Sequence, residues 1–332
     1  MNCTPTRLVF LLCLSFLVPL LFGCQQRGEE PGQELSYRLK WLYNINTAGD
    51  LYALEHGFFT SRNLRVVVKP GGPERDAIRE LELGRAQFGV ASADQVIRAL
   101  AKGSPIVVIA QLFQQNPLQW IYRSGGAAYA SPLELRGKTV GITYGGNDET
   151  IMHALLAKYQ IAPSEVNLFS VRYDYAPFYL GEVDLWPIYR NAEGIVIAEK
   201  MAQAGEETGF FAPDLFDVRF VANSVVTTRK MVEEQPDLVR KFRDALLNGW
   251  QEALAPANAA RTIALVHAHD QGTTEETIAK QLAATRQLML PENGRMGSID
   301  VVAWQQTEKI MLEQGVIDSP VAIEKALLTD GL

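Results

Sequence analysis

Between residues 37 and 228 the chain alternates short apolar, β-branched runs with amphipathic helical stretches, and after Val232 it is almost purely helical. Strands separated by helix-length segments pair in parallel and bury both faces under helices, so this alternation specifies an α/β protein. Predicted strands cover 37–43, 64–69, 87–91, 106–113, 118–123, 138–143, 166–171, 183–188 and 219–228. Predicted helices cover 47–56 and 76–83. Another runs from a cap at Ser92 or Asp94 to Lys102, one carries Ile151, Leu155 and Tyr159 on a single stripe, and one covers 191–204. In the tail, Leu238, Phe242, Leu246 and Trp250 share one stripe, and Ile278, Leu282 and Leu288 another, opened by a predicted capping box of Thr273 and Glu276. Two α/β blocks followed by helices imply a chain that crosses between two lobes and returns. The candidate crossings are 122–132 and 220–228, giving one lobe from 37–123 with 222–332 and a second from 124–221.

The first 23 residues are expected to leave. Arg7 precedes an apolar run over 8–22 that is too short to span a bilayer comfortably, which is the layout of a signal peptide. Leu21-Phe22-Gly23-Cys24 resembles the bacterial lipobox, so cleavage before Cys24 and lipidation of that cysteine are expected, with a polar tether over 24–36. Gln25 in place of aspartate permits sorting to an outer membrane. Cys3 and Cys13 go with the signal, leaving no disulfide, no cysteine-rich metal site and no thiolate nucleophile. The 31 basic and 38 acidic side chains give a net charge of −7, and loss of Arg7 makes it about −8, which argues against a nucleic-acid partner.

Several segments occur together in a recognisable order: Leu39-Lys40-Trp41-Leu42, Glu55-His56-Gly57-Phe58-Phe59, Lys69-Pro70-Gly71-Gly72-Pro73, Gln87-Phe88-Gly89-Val90-Ala91-Ser92-Ala93-Asp94, Leu135-Arg136-Gly137-Lys138 and Gly181-Glu182-Val183-Asp184-Leu185-Trp186. Through them the chain resembles the solute-binding proteins of ABC importers, of the thiamine-pyrimidine, riboflavin, taurine and nitrate type that is related to fungal thiamine-pyrimidine synthases. The resemblance implies a two-lobed periplasmic-binding-protein fold of type II, each lobe a mixed sheet flanked by helices, with a helical C-terminal tail. It further implies an extracytoplasmic monomer that closes on a small molecule and delivers it to a permease and its ATPase, with no cofactor and no chemistry. The related synthases carry a cysteine-rich motif that this chain lacks, which ranks an enzyme low. A sensing or lipid-shuttling receptor of the same fold is the remaining alternative.

Candidate ligand residues follow from strand ends, where open α/β sheets place their sites. Gly141-Ile142-Thr143-Tyr144-Gly145-Gly146-Asn147 joins a strand to a helix, and Tyr144, Gly145 and Gly146 let a ligand approach free backbone donors. Trp41, Tyr43, Trp186 and Tyr189 offer rings for stacking on a flat ligand, and Gln114 an amide to read its edge. Asp50, Asp94 and Glu193 are expected near the cleft with Asn46. Their charge, with Asp148 and Glu149, favours a neutral or cationic nitrogen heterocycle over sulfonate or nitrate. Relatives usually carry other residues at Asp50, at Leu51 and over 191–194, so the ligand is expected to differ within the family.

Overall fold

The alternating pattern folds into two five-stranded sheets built on one plan. The computed structural model describes residues 34–72, 74–125, 128–290 and 295–329; the signal segment, Cys24 and the tether up to residue 33 lie outside the described residues. In the first sheet β1 (Glu34–Arg38) lies between β2 (Arg65–Lys69) and β3 (Phe88–Ala91) and is parallel to both. β10 (Ser224–Thr228) is antiparallel between β3 and β4 (Ile106–Gln111). In the second, β6 (Thr139–Ile142) is parallel to β7 (Asn167–Ser170) and β8 (Leu185–Tyr189), and β5 (Leu118–Arg123) is antiparallel between β8 and β9 (Thr208–Phe211). In each sheet the antiparallel strand is the one that has just arrived from the other lobe.

That arrangement corrects one boundary. β5 belongs to the second sheet, so the first crossing falls at 112–117, before Leu118, and not after Arg123. Residues 106–113 and 118–123 are both apolar, and periodicity says that a segment is a strand without saying which sheet it joins. Pro117 in the crossing has no N–H to continue a ladder. The return crossing at 219–223 delivers β10.

Helices α1 (Ala48–Glu55), α2 (Ala77–Glu82) and α3 (Ala93–Ala101) connect strands of the first lobe. Helices α4 (Asn147–Lys158), α5 (Ala176–Tyr179) and α6 (Glu193–Gln203) belong to the second. The tail comprises α7 (Arg229–Glu234), α8 (Pro236–Leu254), α9 (Ala259–His269), α10 (Glu275–Met289) and α11 (Val301–Glu313). Phe242, Leu246 and Trp250 of the stripe on α8 are buried, with Leu238 half-buried at its start: Phe242 stacks on Phe88 of β3 at 3.7 Å and meets Tyr37 of β1 edge-on at 5.1 Å. Helix α10 is capped by Thr274, whose hydroxyl accepts from Thr277 N at 3.2 Å; Thr273, the expected cap, donates instead to Asp270. From α10 the side chains of Thr277 and Lys280 reach Glu199 on α6, joining the tail to the second lobe.

Candidate functional site

The C-terminal ends of β1, β6 and β8 meet at the seam between the lobes. β1 closes with Leu39 N donating to Lys69 O, earlier than the sequence suggested, so Trp41 and Tyr43 lie in the loop that follows. Asn44 then caps a single 3₁₀ turn and leads directly into α1, which places Asp50 in the first turn of that helix. After β6 the chain turns through Gly145, at a φ of +80° that only glycine adopts freely, and α4 starts at Asn147. After β8 a short corner carries Asn191 into α6, with Glu193 at its first position.

These ends enclose a cavity of about 170 Å³. Its size is close to the roughly 150 Å³ cavity that holds one benzene ring. Trp41 contributes a ring from the first lobe, and Tyr144, Tyr175 and Tyr189 from the second. Polar contacts close the seam around it. Lys40 Nζ donates to Asn147 Oδ1 at 2.8 Å and to the Tyr189 hydroxyl at 2.9 Å. Asn191 donates to Asn46 at 2.8 Å, and Asn44 to Glu193 at 3.3 Å. At the mouth Trp41 lies 5.4 Å from Tyr173, and Arg172 pairs with Glu74 at 2.6 Å.

The acidic groups of the wall are already engaged. Asp148 accepts from Thr143 N at 2.6 Å, and burial raises its carboxyl to about 6. Asp50 accepts from the Tyr37 hydroxyl at 2.6 Å, and burial raises it to about 7, the hydrogen bond acting in the opposite direction. Glu193 accepts from Asn44 and from Tyr189 N, and desolvation raises it as well. The wall also carries two cations, Lys40 and Arg172. The sequence argument that free carboxylates favour a cationic ligand therefore loses its basis: the acids are held by the protein's own donors, and desolvation disfavours their charge.

The structure brings Trp41, Asn46, Asp50, Tyr144, Gly145, Gly146, Trp186, Tyr189 and Glu193 to the cavity wall. Trp186 is only 1 % exposed and packs against Tyr175 and Phe178, so most of its ring is core of the second lobe. Three other candidates lie elsewhere. Tyr43 donates to Val68 O at 2.9 Å and leans on His269. Asp94 is buried in the first turn of α3, bonded to Ser92 and Arg98, because a carboxylate there is satisfied locally. Gln114 donates to Gln111 O and Ser298 O, which pins the first crossing. Sequence reasoning passed over Lys40, Asn147 and Asn223, and it counted Tyr175 among the rings crowded over 173–189 without placing it in the cleft. Lys40 and Asn147 stand at strand ends inside segments already singled out, so the strand-end rule applied residue by residue finds both. Asn223 reaches the cavity through the return crossing, and no local signal marks it.

Residues 44–260, more than half of the chain, match the family model described as NMT1/THI5 like. The chain belongs to the NMT1/THI5-like family. The chain is 23 % identical over 316 residues to the riboflavin-binding protein RibY of Chloroflexus aurantiacus, spanning 90 % of this chain and 86 % of that one. It is also 23 % identical over 315 residues to a putative thiamine biosynthesis protein of Haemophilus influenzae, spanning 94 % and 96 %. Among solved structures it matches the alkanesulfonate-binding protein SsuA of Xanthomonas axonopodis pv. citri bound to MOPS, with a TM-score of 0.65 at 15 % identity over 89 % of this chain and 97 % of that one. These matches give it the periplasmic-binding-protein fold. The desulfurization enzyme DszB shares the fold at a TM-score of 0.59, with 12 % identity over 90 % of this chain and 97 % of that one, so the fold alone does not separate binding from catalysis.

Proposed function

We propose that this protein is a lipid-tethered, extracytoplasmic solute-binding protein that closes on a small, flat, nitrogen-containing ring and delivers it to an ABC permease and its ATPase. The observation that carries the ring reading is the set of aromatic walls from both lobes, Trp41 on one side and Tyr144, Tyr175 and Tyr189 on the other. Aromatic side chains with polar tips cover the faces of a flat ligand while amide groups fix its edge. The names of the riboflavin-binding and thiamine-biosynthesis relatives support the same ligand class. The cross-seam contacts of Lys40, Asn44 and Asn191 support a hinge closure, in which the work is differential binding between open and closed states and not bond making.

Sulfonate is a second reading, favoured by Lys40 and Arg172 in the wall. A thermal-shift screen of the chain lacking its first 24 residues decides between them, using thiamine-pyrimidine precursors, riboflavin, taurine and polyamines. Stabilisation by pyrimidines or flavin supports the ring reading; stabilisation by taurine alone sinks it. The anchor rests on Leu21-Phe22-Gly23-Cys24. Expressed in a bacterium, the full chain should partition into the detergent phase and Cys24→Ala into the aqueous phase; equal partitioning removes the anchor.

A further inference from the structure

The hydrogen bonds of the cavity wall have a direction, and Lys40 sets it. An ammonium group has three donors and no acceptor. Facing Lys40 at 2.8 Å, Asn147 must therefore present its oxygen, which turns its Nδ2 away; that nitrogen is buried without a partner. The Tyr189 hydroxyl accepts from Lys40 at 2.9 Å and so sends its own proton onward to Asn223 Oδ1 at 3.0 Å. The Nδ2 of Asn223 then makes no hydrogen bond among the described residues. Both asparagines are 6 % exposed and both line the cavity.

The carboxylates and the Asn46 amide oxygen of the same wall already hold donors of the protein. Asp50 is held by Tyr37, Asp148 by Thr143 N, and Glu193 by Asn44 and Tyr189 N. Asp76 takes Arg79 N and the Gln95 amide, and Asn46 Oδ1 takes Asn191. Among the wall's groups of fixed polarity, those left without a partner are donors, the side-chain amide nitrogens of Asn46, Asn147 and Asn223 and the remaining proton of Lys40, while the Tyr144 and Tyr175 hydroxyls beside them can give or accept. Buried polar groups require partners, so the ligand must bring acceptors.

We propose that Lys40 is a positioning residue that fixes the orientation of Asn147 and Asn223, so that the closed cleft selects ligands whose edge presents hydrogen-bond acceptors, ring carbonyls or oxyanion oxygens, over ligands whose edge presents N–H donors. This rests on the cavity being the ligand site, and it changes the expected ligand from one that gives hydrogen bonds to carboxylates to one that receives them from amides.

The test measures affinities of the chain lacking residues 1–24 for two pairs of probes. The ring pair is 1,3-dimethyluracil, with two carbonyls and no N–H, against 1,3-diaminobenzene. The open-chain pair is ethanesulfonate against propylammonium. In at least one pair the acceptor probe should bind about ten-fold or more tightly, the discrimination expected when a mismatched ligand leaves buried groups unpaired. In Lys40→Met that ratio should collapse to within about three-fold, because both amides become free to flip. Lys40→Arg, again a pure donor, should keep the preference, and Tyr189→Phe, which cuts only the relay to Asn223, should fall between. Comparable melting temperatures for the variants keep a folding defect from imitating the effect. Preference for the donor probes, failure of both acceptor probes at millimolar concentration, or an unchanged ratio in Lys40→Met overturns the proposal. Binding of ethanesulfonate without the uracil leaves it standing and removes only the flat-ring reading.

Discussion

At the scale of the residue, the wall shows why charge counts made from sequence mislead. Asp50 and Glu193 were legible as residues close to the cleft, but their state depends on partners brought from elsewhere in the fold. Tyr37 is thirteen positions before Asp50, and Asn44 lies across the seam from Glu193. A local pattern cannot show such partners. Asp50 makes the consequence measurable. Its folded carboxyl titrates at about 7, against about 4 for an exposed aspartate, so between those values the folded state holds a proton that the unfolded state has lost. The contribution of Asp50 to stability is therefore complete below pH 4, declines as pH rises to 7, and stays constant above that. Asp50→Asn keeps an acceptor for the Tyr37 hydroxyl and does not titrate. Relative to wild type, its unfolding free energy from urea titration should rise steadily between pH 4 and 7 and then level off, with a ceiling on the order of 4 kcal/mol. A difference that is flat across that range shows that Asp50 is not held protonated.

At the scale of the element, the helices and strands were mostly legible, because each declares itself through its own periodicity. The assignment of β5 was not. Its pairing with β8 and β9 is a long-range matter, and nothing in its own six residues says which sheet it joins. The packing of α1 on α8 was equally hidden, since it depends on two glycines more than on any apolar stripe. A Cβ on Gly49 would lie 2.0 Å from the Trp250 ring, and one on Gly249 would lie 2.4 Å from Ala53 Cβ and 2.7 Å from its Cα. The helices touch backbone to backbone at that point, and neither contact is with a flexible side-chain tip. Alanine in a helix interior normally gains about 1 kcal/mol over glycine. Here overpacking of about 1–3 kcal/mol opposes it and should prevail. Gly249→Ala is expected to melt several degrees below wild type, read by calorimetry, with ligand affinity unchanged at 20 °C. A variant that melts higher shows that α8 can move off α1 without loss.

At the scale of the whole molecule, the two-lobed plan follows from the order of the blocks in sequence, and the closed seam does not, because it is made by side chains that meet only after folding. The mouth shows how closure is held. Tyr173 from the second lobe lies against Trp41 of the first, and beside it Gly72 has a φ of +141° with room for no Cβ: one placed there would sit 2.7 Å from the Tyr173 hydroxyl. A methyl at position 72 therefore crowds the Tyr173 hydroxyl, the far end of a side chain that is 45 % exposed. Gly72→Ala is expected to strain the backbone at φ +141° and to push the Tyr173 hydroxyl aside, weakening the contact of that ring with Trp41. In the proposed cycle, where ligand leaves through an open state, the loss should appear mainly as faster release. A ring contact worth about 1 kcal/mol corresponds to roughly five-fold in the dissociation rate, with a matching loss of affinity. Tyr173→Ala removes the same contact by another route, so the double variant should release ligand no faster than either single one. Stopped-flow displacement of bound ligand measures all three, and small-angle scattering at saturation reports whether the lobes still close. Additive effects of the two substitutions would mean that Gly72 acts through its own backbone strain and not through Tyr173.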